Sequence, residues 1–229
     1  MSGQKVLTKE MVQWRIPYPH ELAEFTKLND AAAEILSKYE DALVSLNLSG
    51  LTELSDTAAQ SLGNYKGTKG LDLSGLTKLS DTAAESIVKC KGEILLSGLT
   101  ELSAAAAESL SKYKGGSLNL SGLTELSNSC AAALAKYQGR LNLTGLTELS
   151  DAAAESLSEY KGAGLALTGL TELSDTAAES LAKFKGELFL KGLTELSAAV
   201  AENLSTHKGP QFDFPNLTEL SDAAAESLS

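Results

Sequence analysis

The residues of this chain with the clearest chemical potential form a row of carboxylates at regular spacing. Paired carboxylates can transfer protons, and rows of them can hold calcium. Each member occupies the same point of a repeated phrase, which favours a solvent-exposed row of charge over a site. We therefore expect no metal and no cofactor. The row, interrupted once by lysine, is Glu53, Lys78, Glu101, Glu125, Glu148, Glu172, Glu195 and Glu219.

The histidines and cysteines do not indicate a catalytic centre. His20 and His207 lie far apart, and the sequence contains no glycine-rich phosphate loop, no paired metal-binding cysteines and no Gly-x-Ser-x-Gly motif. Cys90 replaces a recurrent aromatic residue, and Cys130 falls early in another predicted helix. This placement favours two buried thiols without a disulfide over a reactive thiol. We predict that the protein is not an enzyme.

A repeat organises most of the chain. The phrase Leu-x-Leu-Ser/Thr-Gly-Leu-Thr-Glu-Leu-Ser-Asp recurs with variations eight times, each copy leading into an alanine-rich stretch. A fixed period of this length is typical of a solenoid, in which each repeat is stable only when stacked on its neighbours. The marker position, at intervals of 23 to 25 residues, is occupied by Gly50, Gly75, Gly98, Gly122, Gly145, Gly169, Gly192 and Asn216.

Residues 71–79 illustrate the predicted strand and turn of one repeat. The alternation of Leu71 and Leu73 with polar residues predicts a short strand with one buried face. Gly75, replaced only by asparagine in the last copy, predicts a left-handed or otherwise tight backbone. The threonine that follows recurs in all eight copies. We predict that its hydroxyl caps backbone groups along the stack, in contrast to a simple surface turn residue.

Residues 80–92 illustrate the predicted helix. Ser80 is a preferred N-cap, and Asp81 suits the positive end of the helix dipole. Small and apolar residues at helical spacing, such as Ala84 and Ile87, predict a buried stripe. The Lys91-Gly92 pair, repeated in most copies, predicts a helix end with glycine as a left-handed cap.

These features resemble the leucine-rich repeat family, in a short bacterial-type form with repeats of 23–25 residues. The family's usual asparagine or cysteine after the strand is replaced here by leucine, as at Leu76. The resemblance covers residues 42–229 and implies an α/β right-handed solenoid, or horseshoe. It implies a parallel β-sheet on the concave face, α-helices on the convex face, and a role in binding another macromolecule. It implies no catalytic residue.

The two ends depart from the repeat. Residues 24–40 read as the turn and helix of a degenerate repeat, and the only tryptophan, Trp14, precedes them. We predict an N-terminal cap over residues 1–41, in contrast to a recognition site around Trp14, and an array of about eight repeats over residues 42–229. The last helix, residues 222–229, keeps the internal pattern without a polar cap.

Charge limits the range of partners. Thirty acidic residues against 19 basic ones give a net charge of −11, which argues against binding to nucleic acid or to anionic lipid. No apolar run is long enough to cross a membrane. Because the sequence shows neither a signal peptide nor a disulfide pattern, a cytoplasmic location is favoured.

The outward positions of the predicted strands are the candidate binding residues. Phe189, with Glu187 and Lys191 beside it, has the composition of an interface anchor. We therefore expect a protein-binding scaffold that uses the concave face. The alternatives are an unused face and a structural protein that associates through its open C-terminal end. The candidate positions are Asn47, Asp72, Leu95, Asn119, Asn142, Ala166, Glu187, Phe189, Lys191 and Asp213.

Overall fold

A computed structural model describes residues 4–15, 19–39, 45–67, 69–209, 214–220 and 222–228. Strands of two or three residues alternate with helices of seven or eight, apart from one short 3-10 helix and from the strands Glu187–Phe189 and Glu195–Leu196, which have no helix between them. In chain order the elements are β1 (Val6–Leu7), α1 (Lys9–Arg15), the 3-10 helix (Pro19–Glu24), β2 (Lys27–Leu28), α2 (Asp30–Ser37), β3 (Leu46–Asn47), α3 (Asp56–Leu62), β4 (Leu71–Asp72), α4 (Asp81–Ile87), β5 (Ile94–Leu95), α5 (Ala104–Leu110), β6 (Ser117–Asn119), α6 (Asn128–Leu134), β7 (Arg140–Asn142), α7 (Asp151–Ser158), β8 (Gly164–Ala166), α8 (Asp175–Ala182), β9 (Glu187–Phe189), β10 (Glu195–Leu196), α9 (Ala198–Ser205), β11 (Glu219–Leu220) and α10 (Asp222–Leu228).

The main sheet consists of strands β3 to β9 in sequence order, and every pairing is parallel. Its register places equivalent leucines side by side, as in Leu118 with Leu141 and Leu141 with Leu165. Each strand therefore pairs with the strand of the next repeat, and a helix connects the two. The predicted α/β solenoid architecture is confirmed.

One layered core lies between the sheet and the helices. In the repeat of β4 and α4, Leu71, Leu73, Leu76, Ala83 and Ile87 are fully buried. The outward residues of the strand are only half-buried. The predicted inward and outward positions are therefore confirmed, and the small alanines let each helix lie close to the sheet.

The repeated glycine is required for space: of the two predicted alternatives, a left-handed or an otherwise tight backbone, the left-handed one is wrong. Among the described residues only Gly70 has a positive φ, of 124°. At Gly145, a Cβ atom would lie 2.7 Å from the carbonyl oxygen of Leu123 and closer still to that of Ser121. The turn of one repeat thus rests directly on the backbone of the turn before it, and a side chain would separate them.

The glycine of the Lys-Gly pair is also a packing residue, so its prediction as a left-handed cap is wrong. The helices end earlier, in ordinary right-handed geometry, as at Ser111 after α5. A Cβ atom on Gly139 would lie 2.8 Å from the carbonyl oxygen of Gly115. The hydroxyl of Tyr137 donates to that same carbonyl at 2.8 Å. A second column of close contacts therefore runs along the helix C-terminal side of the stack.

The serine N-caps perform a second role that the sequence analysis missed. Ser174 accepts a hydrogen bond from the backbone N–H of Ala177 at 2.9 Å, as an N-cap should. Its hydroxyl also donates to the carboxylate of Asp151, in the first turn of the preceding helix. The same bond joins Ser55 to Asp30, Ser80 to Asp56, Ser103 to Asp81 and Ser197 to Asp175. We call these bonds the serine–aspartate ladder.

The predicted threonine ladder forms only in part. The hydroxyls of Thr52, Thr100, Thr194 and Thr218 donate to a threonine carbonyl of the preceding repeat at 3.1 to 3.3 Å. Most of these threonines are exposed. In the other four repeats the equivalent threonine is exposed to solvent. Within the described ranges, its hydroxyl donates to no carbonyl. These four threonines are Thr77, Thr124, Thr147 and Thr171.

Two further strand–helix units precede the main sheet. Strand β1 pairs with β2 in parallel, with Val6 opposite Lys27, and helix α1 packs against α2. The unit of β2 and α2 lies in the predicted degenerate repeat, whereas the unit of β1 and α1 was not anticipated. Strand β3 contacts the 3-10 helix on its other side. The boundary between cap and array remains a prediction.

The spatial role of glycine is tested by two alanine substitutions. We expect Gly145→Ala to lower the free energy of unfolding by about 1–3 kcal/mol, because the new methyl group would press on backbone atoms that cannot move aside. Gly116→Ala is the matched control, since nothing lies within 4 Å of its Cβ position. Denaturant titration of both variants measures the difference, and equal stability would contradict the account.

The serine–aspartate ladder is tested by comparing two N-caps. Ser127 caps α6 by accepting from the N–H of Cys130. The preceding repeat has Ala104 where most repeats have aspartate, and the Ser127 hydroxyl lies against the hydroxyl of Ser129 in its own helix. Ser127→Ala should therefore cost only the cap, about 1 kcal/mol. Ser174→Ala should cost about 1 kcal/mol more, because it also removes a hydrogen bond to a carboxylate. Identical unfolding free energies for the two variants would refute the ladder's contribution.

Candidate functional site

The exposed face of the main sheet is built from three rows of outward side chains. Because side chains alternate along a strand, every second residue points away from the core. Following the register, the first row includes Ser117, Arg140, Gly164 and Glu187. The middle row comprises Asn47, Asp72, Leu95, Asn119, Asn142, Ala166 and Phe189. The third row lies two residues further on and ends at Lys191, which is exposed.

The middle row brings together seven of the ten residues predicted as candidates for binding. All seven are half-buried and stand opposite one another across neighbouring strands. Glu187 and Lys191 flank Phe189 in the neighbouring rows. Asp213, the tenth candidate, lies outside the described residues. The predicted surface is therefore one continuous face over β3 to β9.

Four members of the middle row have a structural role that explains their residue type. The side-chain oxygen of Asn142 accepts a hydrogen bond from the N–H of Thr144 at 3.0 Å, which makes an Asx turn at the end of the strand. Asn47, Asp72 and Asn119 make the same bond two residues ahead. The sequence signal, Asx followed two residues later by Ser or Thr, was present but not used. The Asx turn therefore explains the residue type at these four positions without a binding partner.

Leu95, Ala166 and Phe189 are the members of the middle row without that role. Phe189 stands directly opposite Ala166, whose methyl group leaves space beside the ring. Leu95 lies on β5, three strands away from Ala166 on β8. The structure therefore assembles an apolar patch from Ala166 and Phe189 near one end of the sheet and leaves Leu95 apart from it.

An ion pair borders this patch. It includes Glu187, which was predicted as a binding residue and instead pairs with an arginine of the same chain. The Nη2 atom of Arg140 lies 3.0 Å from the Oε2 atom of Glu187, two strands away. Gly164 stands between them in the register and lets the arginine cross. Arg140 was not among the predicted candidates, because it comes directly after Gly139 and before the Leu-x-Leu pattern of its repeat. Since both side chains are substantially exposed, the pair fixes their positions more than it stabilises the fold.

The carboxylate row at the turns is partly neutralised by lysines. Lys27 pairs with Glu53 at 2.5 Å, and Lys78 pairs with Glu101 at 2.9 Å. The hydrogen bond to Glu101 raises the pKa of Lys78. Across the described ranges, no group of three or more histidine, cysteine, aspartate or glutamate side chains is arranged to hold a metal ion.

The two cysteines are buried and are not bonded to one another. Burial raises the pKa of Cys90 to about 12, so its thiol is neutral near pH 7. The thiol donates to the carbonyl oxygen of Leu62 at 3.0 Å. Cys130 likewise donates to the carbonyl of Leu102 at 3.1 Å. The prediction of two buried, free thiols is confirmed.

Buried aromatic residues continue the column in which Cys90 stands. The hydroxyls of Tyr113 and Tyr160 donate to the carbonyls of Gly92 and Gly139, one repeat back. Burial raises the pKa of Tyr113 to about 12 and that of Tyr160 further. Phe184 and His207 follow in the column, with ring centroids 6.5 Å apart. His207 therefore occupies the place of a core aromatic residue.

No protein-family model matches this chain, and no match is found among curated proteins. The architecture alone classifies the protein as a repeat protein of strand–helix units with a parallel sheet. Among the residues that the structure describes, no helix combines the length and apolar character needed to span a membrane.

Proposed function

We propose that this chain is a non-enzymatic, protein-binding scaffold of the leucine-rich repeat type, which binds through the exposed face of its parallel sheet. The repeat phrase resembles that family, and the all-parallel sheet agrees with the resemblance. In such a scaffold the exposed sheet corresponds to the concave binding face. A protein partner accords better with the net charge of −11 than nucleic acid does.

The observation that carries the proposal is the patch of Phe189 and Ala166. A half-buried phenylalanine on the solvent side of a sheet satisfies no requirement of the core, and the Asx turn found in other repeats is absent from its strand. Lys191 stands exposed in the next row, and the Arg140–Glu187 pair lies in the row on the other side. An apolar centre with charged residues around it is typical of a binding hot spot.

The rigid backbone supports this use of the face. The main strands are short, but each is held by hydrogen bonds to its neighbours and by the fully buried leucines beneath it. The backbone that carries the face is therefore already ordered, which reduces the backbone entropy lost on binding. The proposal assigns no catalytic step to the protein.

The proposal is tested by the double variant Phe189→Ala and Lys191→Ala. Partners captured with the intact chain from a lysate would be identified and then titrated calorimetrically. We expect the double variant to bind such a partner at least tenfold more weakly, since hot-spot truncations commonly cost more than about 1.4 kcal/mol. Its melting temperature should change little, because both side chains project from the core.

The matched control for this experiment is Ser97→Ala with Ser121→Ala, on the same face but over other strands. We expect this control to bind as the unmodified chain does. A partner that binds the Phe189 and Lys191 variant with undiminished affinity would place the binding site elsewhere.

A structural, self-assembling role is the second candidate. It is favoured by Leu220, which is 43% exposed on β11, the outer strand of a two-stranded sheet with β10. An outer strand with an exposed leucine can pair with a strand of another molecule. Such an end contact would be apolar, so salt would not weaken it.

A further inference from the structure

The two long edges of the solenoid differ in charge. The order of strand, turn, helix and return brings strand ends and helix N-termini to one edge, which we call the turn edge. Helix C-termini and strand beginnings meet at the opposite edge, which we call the return edge. The exposed carboxylates of the turn edge include Asp30, Glu53, Asp56, Asp81, Glu101, Glu125, Glu148, Asp151, Glu172, Asp175, Glu195 and Asp222.

The return edge is basic although the chain as a whole is acidic. Twelve exposed lysines, out of 19 basic residues in the chain, lie there together with Arg140, and the acidic residues Glu93, Glu159 and Glu187 lie among them. This concentration makes one edge of a molecule with net charge −11 locally positive. The lysines are Lys38, Lys66, Lys69, Lys89, Lys91, Lys112, Lys114, Lys136, Lys161, Lys183, Lys185 and Lys208.

Some of these charges are neutralised within the chain, and others are not. Lys136 pairs with Glu108 at 2.6 Å and Lys183 with Glu179 at 3.0 Å. In the described part of the chain, Lys114, Lys161 and Lys185 form no ion pair with another side chain, and neither do Glu125, Glu148 and Glu172 on the opposite edge. In the middle of each edge, these charged side chains are therefore available to pair with opposite charges on another molecule.

The helix dipole does not account for these central charges. A charged group interacts with the dipole mainly within the first or last turn of the helix. Lys161 comes three residues after the end of α7, and Lys185 three residues after the end of α8. On the other edge, Glu148 and Glu172 each precede the serine N-cap by two residues. Both sets lie outside the helices that they would stabilise.

The two edges also share one period. Every repeat except the one with Lys78 contributes one glutamate of the carboxylate row to the turn edge, and most repeats contribute one Lys-Gly lysine to the return edge. Spacing along both edges is therefore set by the same stacking of strands, about 4.8 Å apart. When the turn edge of one molecule meets the return edge of another, many opposite charges face each other in register. Single exposed pairs are weak, but a row of them acts together.

We propose that the occupant of the return edge is a second copy of this chain, which docks through its acidic turn edge. The contact is heterologous, so it leaves a free acidic edge and a free basic edge, and it can repeat to give lateral ribbons. It covers neither the exposed sheet face nor the ends of the stack. Partner binding through Phe189 and this self-association are therefore independent.

The test begins with the unmodified chain. Its mass is measured by light scattering over a range of concentrations at two ionic strengths, about 0.02 M and about 0.5 M, where the screening length is about 20 Å and about 4 Å. We expect mass to increase with concentration at low salt. At high salt we expect the monomer mass of 23.9 kDa.

Two charge-reversed variants then separate the edges. The first makes the return edge acidic through Lys114→Glu, Lys161→Glu and Lys185→Glu. The second makes the turn edge basic through Glu125→Lys, Glu148→Lys and Glu172→Lys. We expect each variant alone to remain monomeric at low salt. An equimolar mixture should associate again, because the acidic edges of the first variant now face the basic edges of the second.

The control for net charge reverses three glutamates on the outer side of the helices. It carries the same change in charge as the second variant, leaves both edges intact, and should associate like the unmodified chain. If a reversed variant fails to fold by circular dichroism, the glutamine variants at the same positions replace it, with a smaller loss of association expected. The control substitutions are Glu85→Lys, Glu155→Lys and Glu202→Lys.

Four results would overturn the proposal. One is a strict monomer at every concentration and ionic strength. A second is the absence of association in the mixture of reversed variants. A third is association that persists at high salt in both reversed variants, which would indicate the end contact at Leu220 instead. The last is a monomer that binds single-stranded RNA and loses this binding in the first variant, which would assign the return edge to nucleic acid.

Discussion

In seven of the eight repeats, the turn rests against the turn before it so closely that no β-carbon fits between them; the eighth has Asn216 at this position. At Gly145 the closest neighbours of the Cβ position are backbone carbonyls of the preceding repeat, and the same holds at Gly75 and Gly122. Backbone atoms cannot rotate out of the way as the end of a side chain can. This contact therefore sets the distance between repeats, and the parallel sheet, the stacked helices and the regular rows of surface charge all depend on that distance.

Once the spacing is fixed, the remaining interactions between repeats follow as columns. The serine–aspartate ladder joins the starts of neighbouring helices, and buried tyrosines such as Tyr137 join their ends through a glycine carbonyl. Each bond reaches one repeat back and no further. A repeat thus satisfies its polar groups only through its neighbour, so an isolated repeat would lack both its partners and its core. The folded state is therefore stable only when several repeats are stacked together.

The sequence predicts much of this fold because one pattern is repeated many times. The burial of Leu71 and Ala84 and the order of strand and helix follow from periodicity alone. The reason for glycine does not, since a close approach and a left-handed turn leave the same residue in the sequence. Contacts between repeats, such as Ser174 with Asp151 or Arg140 with Glu187, depend on which side chains the stack brings together. The unit of β1 and α1 was missed because its residues retain little of the repeat phrase. On the candidate face, the position of Phe189 was predictable from alternation, whereas its pairing with Ala166 required the register.

Function in such a protein is to be sought where the repeats differ, since shared residues serve the stack. Shared residues serve the stack because the repeats contribute stability through contact with their neighbours. This dependence on neighbours is the point to test. It is tested most directly by inserting one or two further copies of residues 140–162, a 23-residue unit, after residue 162 and following unfolding in guanidinium chloride. We expect the dependence of unfolding free energy on denaturant to rise by a similar step with each copy, and the midpoint not to fall. An unchanged slope, or a midpoint that falls with each added copy, would contradict this dependence on neighbours.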